Sequence, residues 1–536
     1  MSKLHLGSVA AGLVALAIGL AGCGGAGDDT AGDDAVASGT LVIALPGQPE
    51  NLNPIASDNV YEGNQKFFNG LLRYAKDLTA EPDLASEMPE RSDDGRTVTV
   101  RLRDDVKFHD GTAFTAKDVA FTYNAILDED SASPLATLLD SLDEATAVDD
   151  TTVRFTLNRA DPAFDDKLQI GIVPAARLEG EDIKTTAFNR KPVGTGPYVL
   201  EEFEPGGRIV MEANPDYFRG APKIQRIVLT AVEDENARVA LLEKGTIDAA
   251  GIVPKLADRV RRNGNYNVFE IPTADARVAA LPNRDPVLRD AAVRRALSFA
   301  VDREKIVEGA LAGAGEPAFG PIMKGHWAYS PVAERPYDPD EAGRLLDAAG
   351  WTRSGDATRS KGGRDLSFTL MYPASDSVRK DVALAFAAQM KEIGVDVKLE
   401  GLTFDVIEKR QDRGATEFGY GTPYDPDIEL YTLFHSTFAN DDDPFTNYPR
   451  TRNAEIDAAL DAARSKLDQD ERKQDYVKLQ EALAEDASWL WLVRLRHISV
   501  VSKRVQGVEP QVEPHAHGFS RGTTWNLEDW TIEPKS

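Results

Sequence analysis

Only one cysteine, Cys23, occurs in the 536 residues, which excludes an internal disulfide and any centre built from several thiolates. Long hydrophobic runs are missing as well. Val9 to Leu20 is apolar but too short to cross a bilayer, which takes roughly 20 residues. Positive charge is scarce: 61 Lys and Arg stand against 88 Asp and Glu, the net charge is −27, and no basic cluster stands out. Nucleic-acid binding needs Lys and Arg to displace counterions, so that class is excluded. An acidic surface keeps a protein soluble and says nothing by itself about a ligand. Catalytic signatures are absent too. There is no GxSxG elbow, no HExxH and no phosphate loop, since Gly194-Thr195-Gly196 is followed by neither Lys-Ser/Thr nor a helix start. Asp441-Asp442-Asp443 lacks the spacing of a calcium loop, and His515 and His517 sit in a Pro-rich tail that suits solvated chain or a weak adventitious metal site. The expectation is a protein with no enzymatic activity and no cofactor.

What is present reads as globular: 42% hydrophobic and 28% charged residues, over a length that implies more than one domain. Pro82 to Leu127 is the most informative stretch. Thr97 to Leu102 alternates Val98, Val100 and Leu102 against Thr97, Thr99 and Arg101, the mark of a half-buried strand after the Asp94-Gly95 turn. Val106 to His109 reads as a second short strand closed by Asp110-Gly111. Thr115 and Asp118 then make a capping box, followed by Val119, Tyr123, Ile126 and Leu127 on one helical face. Elsewhere Thr40 to Leu45 and Thr151 to Leu157 alternate as strands. Asn64 to Tyr74 reads as a helix, and Asp234 to Glu243 as a helix closed by Lys244-Gly245. Tyr337 to Trp351 has Asp338 as N-cap, Pro339 at the first helical position and Gly350 past its end. Ser377 to Ile393, Asn453 to Leu467 and Glu471 to Glu485 read as helices, the last two with acid-rich faces most simply solvated. Ser488 to Arg496 carries Trp489, Leu490, Trp491, Leu492 and Val493, a buried strand. Strands alternating with helices point to mixed α/β architecture.

At the N-terminus, Lys3, the apolar run and Leu20-Ala21-Gly22-Cys23 form a short secretory signal. An ordinary cleaved signal peptide or a buried helix would also use this pattern. Gly24 to Ser38, rich in Gly, Asp and Ala, reads as a flexible tether.

The string PDLASEMPERSDDGRTVTVRLRDDVKFHDGTAFTAKDVAFTYNAIL from Pro82 closely resembles the signature region of the family 5 extracellular solute-binding proteins, the peptide- and nickel-type receptors of ABC importers. KPVGTGPYVLEEFEPGGRIVMEANPDY from Lys191 and LPNRDPVLRDAAVRRALSFAVDREKIV from Leu281 resemble further blocks, and the likeness runs from about Leu41 to about Val501. It implies a two-lobed periplasmic-binding-protein fold with mixed sheets, of the large cluster C type, with an extra subdomain in the first lobe. The implied boundaries are a signal peptide at 1–22, a lipidated tether at 23–39, lobe I at 40–74, 191–280 and 491–536, the extra subdomain at 75–190, and lobe II at 281–490. Leu281 to Asn283 and the strand from Ser488 would be the crossings. Leu20 to Cys23 resembles the lipobox of bacterial lipoproteins, which makes Cys23 the acylated residue and anchors the protein to the membrane without crossing it.

The same resemblance implies that the loop after the first strand leads into the ligand cleft, with Tyr61 just past it. Glu417 to Ser436, EFGYGTPYDPDIELYTLFHS, faces that cleft. In many peptide-binding members an Asp four residues before the Pro of this turn anchors the peptide ammonium. Here Pro426 matches and Thr422 occupies that position, so either Asp425 substitutes or the ligand carries no free amine there. GTPYDP also resembles nickel-complex receptors, with Tyr424 matching a ligand-touching Tyr. His435, eleven residues on, is a poor match to the metal-binding His; a capped or surface role is the plainer reading. The implied ligand is an oligopeptide, or alternatively a nickel chelate or other small organic solute. The implied partner is an ABC permease, served by a monomeric receptor on the outer face of the cytoplasmic membrane. An exported hydrolase or envelope scaffold is the rival reading.

Overall fold

A computed structural model describes residues 39–47, 49, 51–57, 66–410, 414–440, 445–515 and 521–534. Cys23, Tyr61, His517 and Asp441–Asp443 lie outside the described residues. Among the described residues no helix is long and apolar enough to cross a membrane.

The alternating strand Thr40–Leu45 pairs in parallel with Arg226–Ala231 and with Ala249–Ile252. The Tyr198–Phe203 and Arg208–Ala213 hairpin extends the sheet on one side. On the other side Ala249–Ile252 meets Trp489–Ser502, which runs antiparallel to Tyr266–Ala280. Tyr266–Ala280 then pairs with Ala415–Tyr420, and Ser367–Pro373 and Asp396–Leu402 complete the row in parallel. One 11-stranded sheet therefore serves both lobes, and the two longest strands, Tyr266–Ala280 and Trp489–Ser502, carry the chain between them.

Each lobe buries apolar residues on both faces of its part of this sheet. In lobe I, Leu41, Ile227 and Trp530 lie in one core cluster, and Val42, Val239 and Val500 in another. In lobe II, Leu297, Phe386 and Leu492 form one core, and Phe418, Tyr448 and Trp491 the other. A separate four-stranded antiparallel sheet, Glu90–Arg91, Thr97–Arg101, Thr152–Leu157 and Leu142–Asp149, covers the helix Ala116–Leu127. That helix starts at the expected capping box, with the Thr115 N–H donating to the Asp118 carboxylate at 2.9 Å. Beneath it Lys167 pairs with Asp161 at 2.6 Å, both almost fully buried. Against the burial that would raise it, Lys167 and Ser141 hold the Asp161 carboxyl down at about 2.

Three local expectations are corrected. Leu72–Tyr74 is a strand paired with Ala80–Pro82, and no helix runs into Tyr74. Backbone contact explains this: the N–H groups of Leu71 and Leu72 donate to Leu168 O, and a Cβ on Gly70 would lie 2.6 Å from Gln169 backbone atoms. Val106 to His109 forms only an isolated bridge, Lys107 with Ala113, because the Asp110-Gly111 turn reverses the chain at once. The crossings lie in the long strands, so the first comes before Leu281 and the second continues past Arg496 to Ser502. Gly194 and Gly196 have a packing role: added Cβ atoms would meet Phe67 O at 2.0 Å and Lys66 O at 2.2 Å.

Candidate functional site

Tyr74 ends its strand in lobe I, and Tyr424 stands in the Thr422–Asp425 turn of lobe II, between strand Ala415–Tyr420 and helix Asp427–Phe434. Their rings stack across the lobes with centroids 4.3 Å apart and planes 3° from parallel. The Arg521 guanidinium lies 5.2 Å from the Tyr74 centroid and 5.3 Å from the Tyr424 centroid, and it donates to Gln169 Oε1 at 2.9 Å. An aromatic pair gains about 0.5–1.5 kcal/mol beyond its buried area, and a desolvated cation over it adds about as much.

Asp166 completes the clamp. It accepts from the Tyr74 hydroxyl and, at 3.0 Å, from the Asp425 N–H of the opposite lobe. Burial first, and the Asp425 charge second, push the Asp166 carboxyl up to about 7, opposed by Arg472 and Arg521. The Asp425 side chain faces its own lobe: both its oxygens accept from Arg472 at 2.6 Å. Thr422 Oγ accepts from the Tyr424 N–H at 3.2 Å, and His326 Nε2 bonds the Tyr424 carbonyl at 2.9 Å. A second cross-lobe tie runs from Asp427 through Arg464 to Asp140 in the extra subdomain, at 2.9 and 3.2 Å.

Beside the clamp a cleft of about 640 Å³, open to solvent, is lined by Asn69, Arg73, Gln169, Tyr217, Gln511 and Arg521 among others. Three of its buried polar atoms, Arg73 Nε, Gln169 Nε2 and Gln511 Oε1, have no hydrogen-bond partner among the described residues. Two are donors and one is an acceptor, and each costs about 1–3 kcal/mol while unmatched. At one end Asp83, raised to about 6 by burial, accepts from Arg219 at 3.1 Å and Asn69 at 2.8 Å.

Where the crossing strands break register, between Pro272 and Ala276, a buried charge cluster sits behind the site. Asp275 accepts from Arg277, from His515 at 2.7 Å and from His497 at 3.1 Å. Glu417 is fully buried. Its oxygens lie 4.0 Å from Arg277 Nε and 3.8 Å from Arg379 Nε, and neither is hydrogen-bonded among the described residues. Burial pushes Glu417 up to about 8 and Glu429 up to about 7. Against burial, which alone would lower it, hydrogen bonds to Asp275 and Glu513 carry His497 up to about 9.

These raised groups bind protons more tightly folded than unfolded. The stability they contribute is complete below their unfolded pKa values and is lost as pH rises through their folded ones. Below about pH 7 His109, His326 and His515, all lowered by burial, oppose this trend. Above it, where they are neutral folded and unfolded alike, the melting temperature is expected to fall toward pH 9, and Glu417→Gln to flatten the decline up to pH 8. A melting series by circular dichroism checks this; a curve that rises or stays level over that interval overturns it.

Of the residues singled out in the sequence, the structure brings Thr422, Tyr424 and Asp425 together in one turn. His435 stands apart at the end of helix Asp427–Phe434, stacked on Tyr431 at 4.5 Å, with Nδ1 bonded to Thr437 Oγ1 at 2.8 Å and Nε2 3.5 Å from Asp461. Sequence reading missed Tyr74, Asp166, Gln169, Arg472 and Arg521. Tyr74 looked like helix core, Arg472 lay on a face read as solvated, and nothing local marks the other three.

A profile of the bacterial extracellular solute-binding proteins, family 5 middle region, matches residues 79–442. Protein XP55 of Streptomyces lividans is 39% identical over 504 residues, covering 94% of this chain and 92% of that protein. Among solved structures, NikZ from Campylobacter jejuni in complex with Ni(L-His) superposes with a TM-score of 0.85 at 29% identity, over 92% of this chain and 99% of that one. The oligopeptide-binding protein AppA from Bacillus subtilis, in complex with a nonapeptide, gives 0.79 at 27% identity over the same shares.

Proposed function

Because the chain belongs to the family 5 bacterial extracellular solute-binding proteins, we propose that it receives oligopeptides between its lobes and hands them to an ABC permease. The observation that carries the peptide reading is the trio of unmatched polar atoms in the cleft wall. Arg73 Nε and Gln169 Nε2 call for acceptors and Gln511 Oε1 for a donor, and a peptide backbone offers C=O and N–H at regular spacing. The similarity to AppA, a protein solved with a nonapeptide, supports the same class. The Tyr74–Tyr424–Arg521 stack and the Asp166–Asp425 contact act as the latch. The cleft wall comes from the first lobe and its subdomain, and a ligand seated there beside the latch biases the lobes toward the closed state.

A small chelate is the second reading, favoured by the similarity to NikZ, a protein solved with Ni(L-His), and by Thr422 at the position of the ammonium anchor. In either reading, the protein works as a monomer held to the outer face of the cytoplasmic membrane by lipid on Cys23.

Native mass spectrometry of the soluble form beginning at Gly24, as purified from cells, tests the ligand. The expected result is a ladder of peptide masses released on mild activation and lost in Arg73→Ala. A single small mass carrying a nickel isotope pattern would replace the peptide reading with the chelate one.

A further inference from the structure

Lobe II contains a second cavity, remote in character from the cleft. It encloses about 370 Å³ of empty space, partly open to solvent, and its confined part holds little more than one water-sized body. Arg303, Arg335, Trp489 and Trp491 line it, and none of the lining residues is acidic. In a chain with net charge −27, two arginines facing one cavity without a carboxylate in its wall is an uncommon arrangement.

Arg303 is 5% exposed, and its guanidinium lies 4.7 Å from the Phe319 centroid. Its Nε donates to the carbonyls of Ala318 at 2.8 Å and Trp491 at 3.0 Å, and its Nη1 to those of Ser298 and Val301, both at 3.3 Å. Among the described residues no carboxylate pairs with it. Burial is the one influence on its pKa, which it lowers to about 9, so the group remains cationic at neutral pH. Isolated buried cations are costly, and carbonyl dipoles offset only part of that cost. Arg335 adds a second positive group, shared with the exposed Glu485 at 3.0 Å. Trp489 and Trp491 each bury an indole N–H that has no acceptor among the described residues. Two cations and two tryptophans with unmatched indole N–H groups thus line a cavity whose wall contains no carboxylate.

We propose that this cavity binds a small monovalent anion, a halide or the carboxylate head of a formate-sized acid. Its charge neutralises Arg303, and its lone pairs satisfy the indole donors. The site sits at the root of the 318–335 segment, which carries His326 to the Tyr424 carbonyl, so occupancy steadies the chain that backs the latch.

Melting of the purified protein at constant ionic strength tests the site, with gluconate, too large to enter, replaced by bromide or by formate. Wild type is expected to gain about 2 °C or more in about 0.2 M bromide or formate. A response to bromide alone identifies a halide site, and a response to formate alone a carboxylate site. Trp491→Phe, which keeps the ring and removes the N–H, is expected to lose at least half of the gain, and Arg303→Lys to lose most of it. Equal melting of wild type in all three salts overturns the proposal. So does an unchanged gain in Trp491→Phe, a variant that serves if Arg303→Lys fails to fold.

Discussion

Gly421→Ala is expected to destabilise the protein by about 3–5 kcal/mol, the range of a backbone clash that no side-chain rotation relieves. Gly421 has φ +141°, and a Cβ there would lie 1.9 Å from the Ala274 carbonyl oxygen. That oxygen belongs to the register break of the first crossing strand, so relief of the clash has to move either the hinge or the turn that presents Tyr424. Urea denaturation measures the loss, and fluorescence quenching of a bound peptide measures the accompanying fall in affinity. Gly309→Ala is the control. It lies in the exposed part of helix Arg303–Ala310 with nothing within 4 Å of the added Cβ, and it is expected to stabilise by up to about 1 kcal/mol. A Gly421→Ala protein with the denaturation midpoint of wild type would show that the hinge and the turn are not held against each other.

Removing one partner of the Asp425–Arg472 pair is the second large effect. Arg472 is 4% and Asp425 10% exposed at the side chain, and two hydrogen bonds of 2.6 Å join them. Arg472→Met strands the Asp425 charge beside Asp166 and Asp427, and breaking such a buried pair costs about 3–5 kcal/mol. Asp425→Asn is expected to cost somewhat less, since the amide still accepts one of the two bonds. The double variant is expected to lose less than the sum of the singles, and that difference isolates the pair. The same variants decide what the Asp425 charge is for. If it serves Arg472, Asp425→Asn changes stability and leaves the peptide affinity of the folded protein within a factor of about two. A tenfold fall in affinity with stability unchanged would assign the charge to a ligand ammonium instead.

Both effects trace to one design. The crossing strands are paired along their length, so the lobes share a sheet, and the clamp residues come from the far ends of the chain's fold. Tyr74, Asp166 and Arg521 are on one side, Tyr424 and Asp425 on the other. The clamp brings together a ring stack, a cation and a carboxyl that burial raises to about 7, each contributing little alone.

Periodicity, capping residues and turn pairs were enough to place most strands and helices, because those preferences act over a few residues. The Thr115–Asp118 capping box, the Asp338 cap before Pro339 and the alternating Thr97–Arg101 strand are where the local chemistry puts them. The blocks around Pro82, Lys191 and Leu281 also carried enough particular residues to mark the family. Local preference was overruled at Leu72–Tyr74, where helical spacing gave way to backbone bonds donated to the carbonyl of Leu168, a residue far along the chain. The assignment of charges escaped sequence reading altogether. Asp425 and Arg472 are 47 residues apart, Arg472 lies on a helix most of whose acidic and basic side chains face water, with Asp475 also buried, and an abundance of carboxylates allows many pairings. Which carboxylate is buried, which cation reaches it and which donors are left for a ligand depend on how two lobes meet. Only the folded chain sets those distances, and electrostatic and hydrogen-bond energies depend on the distances themselves.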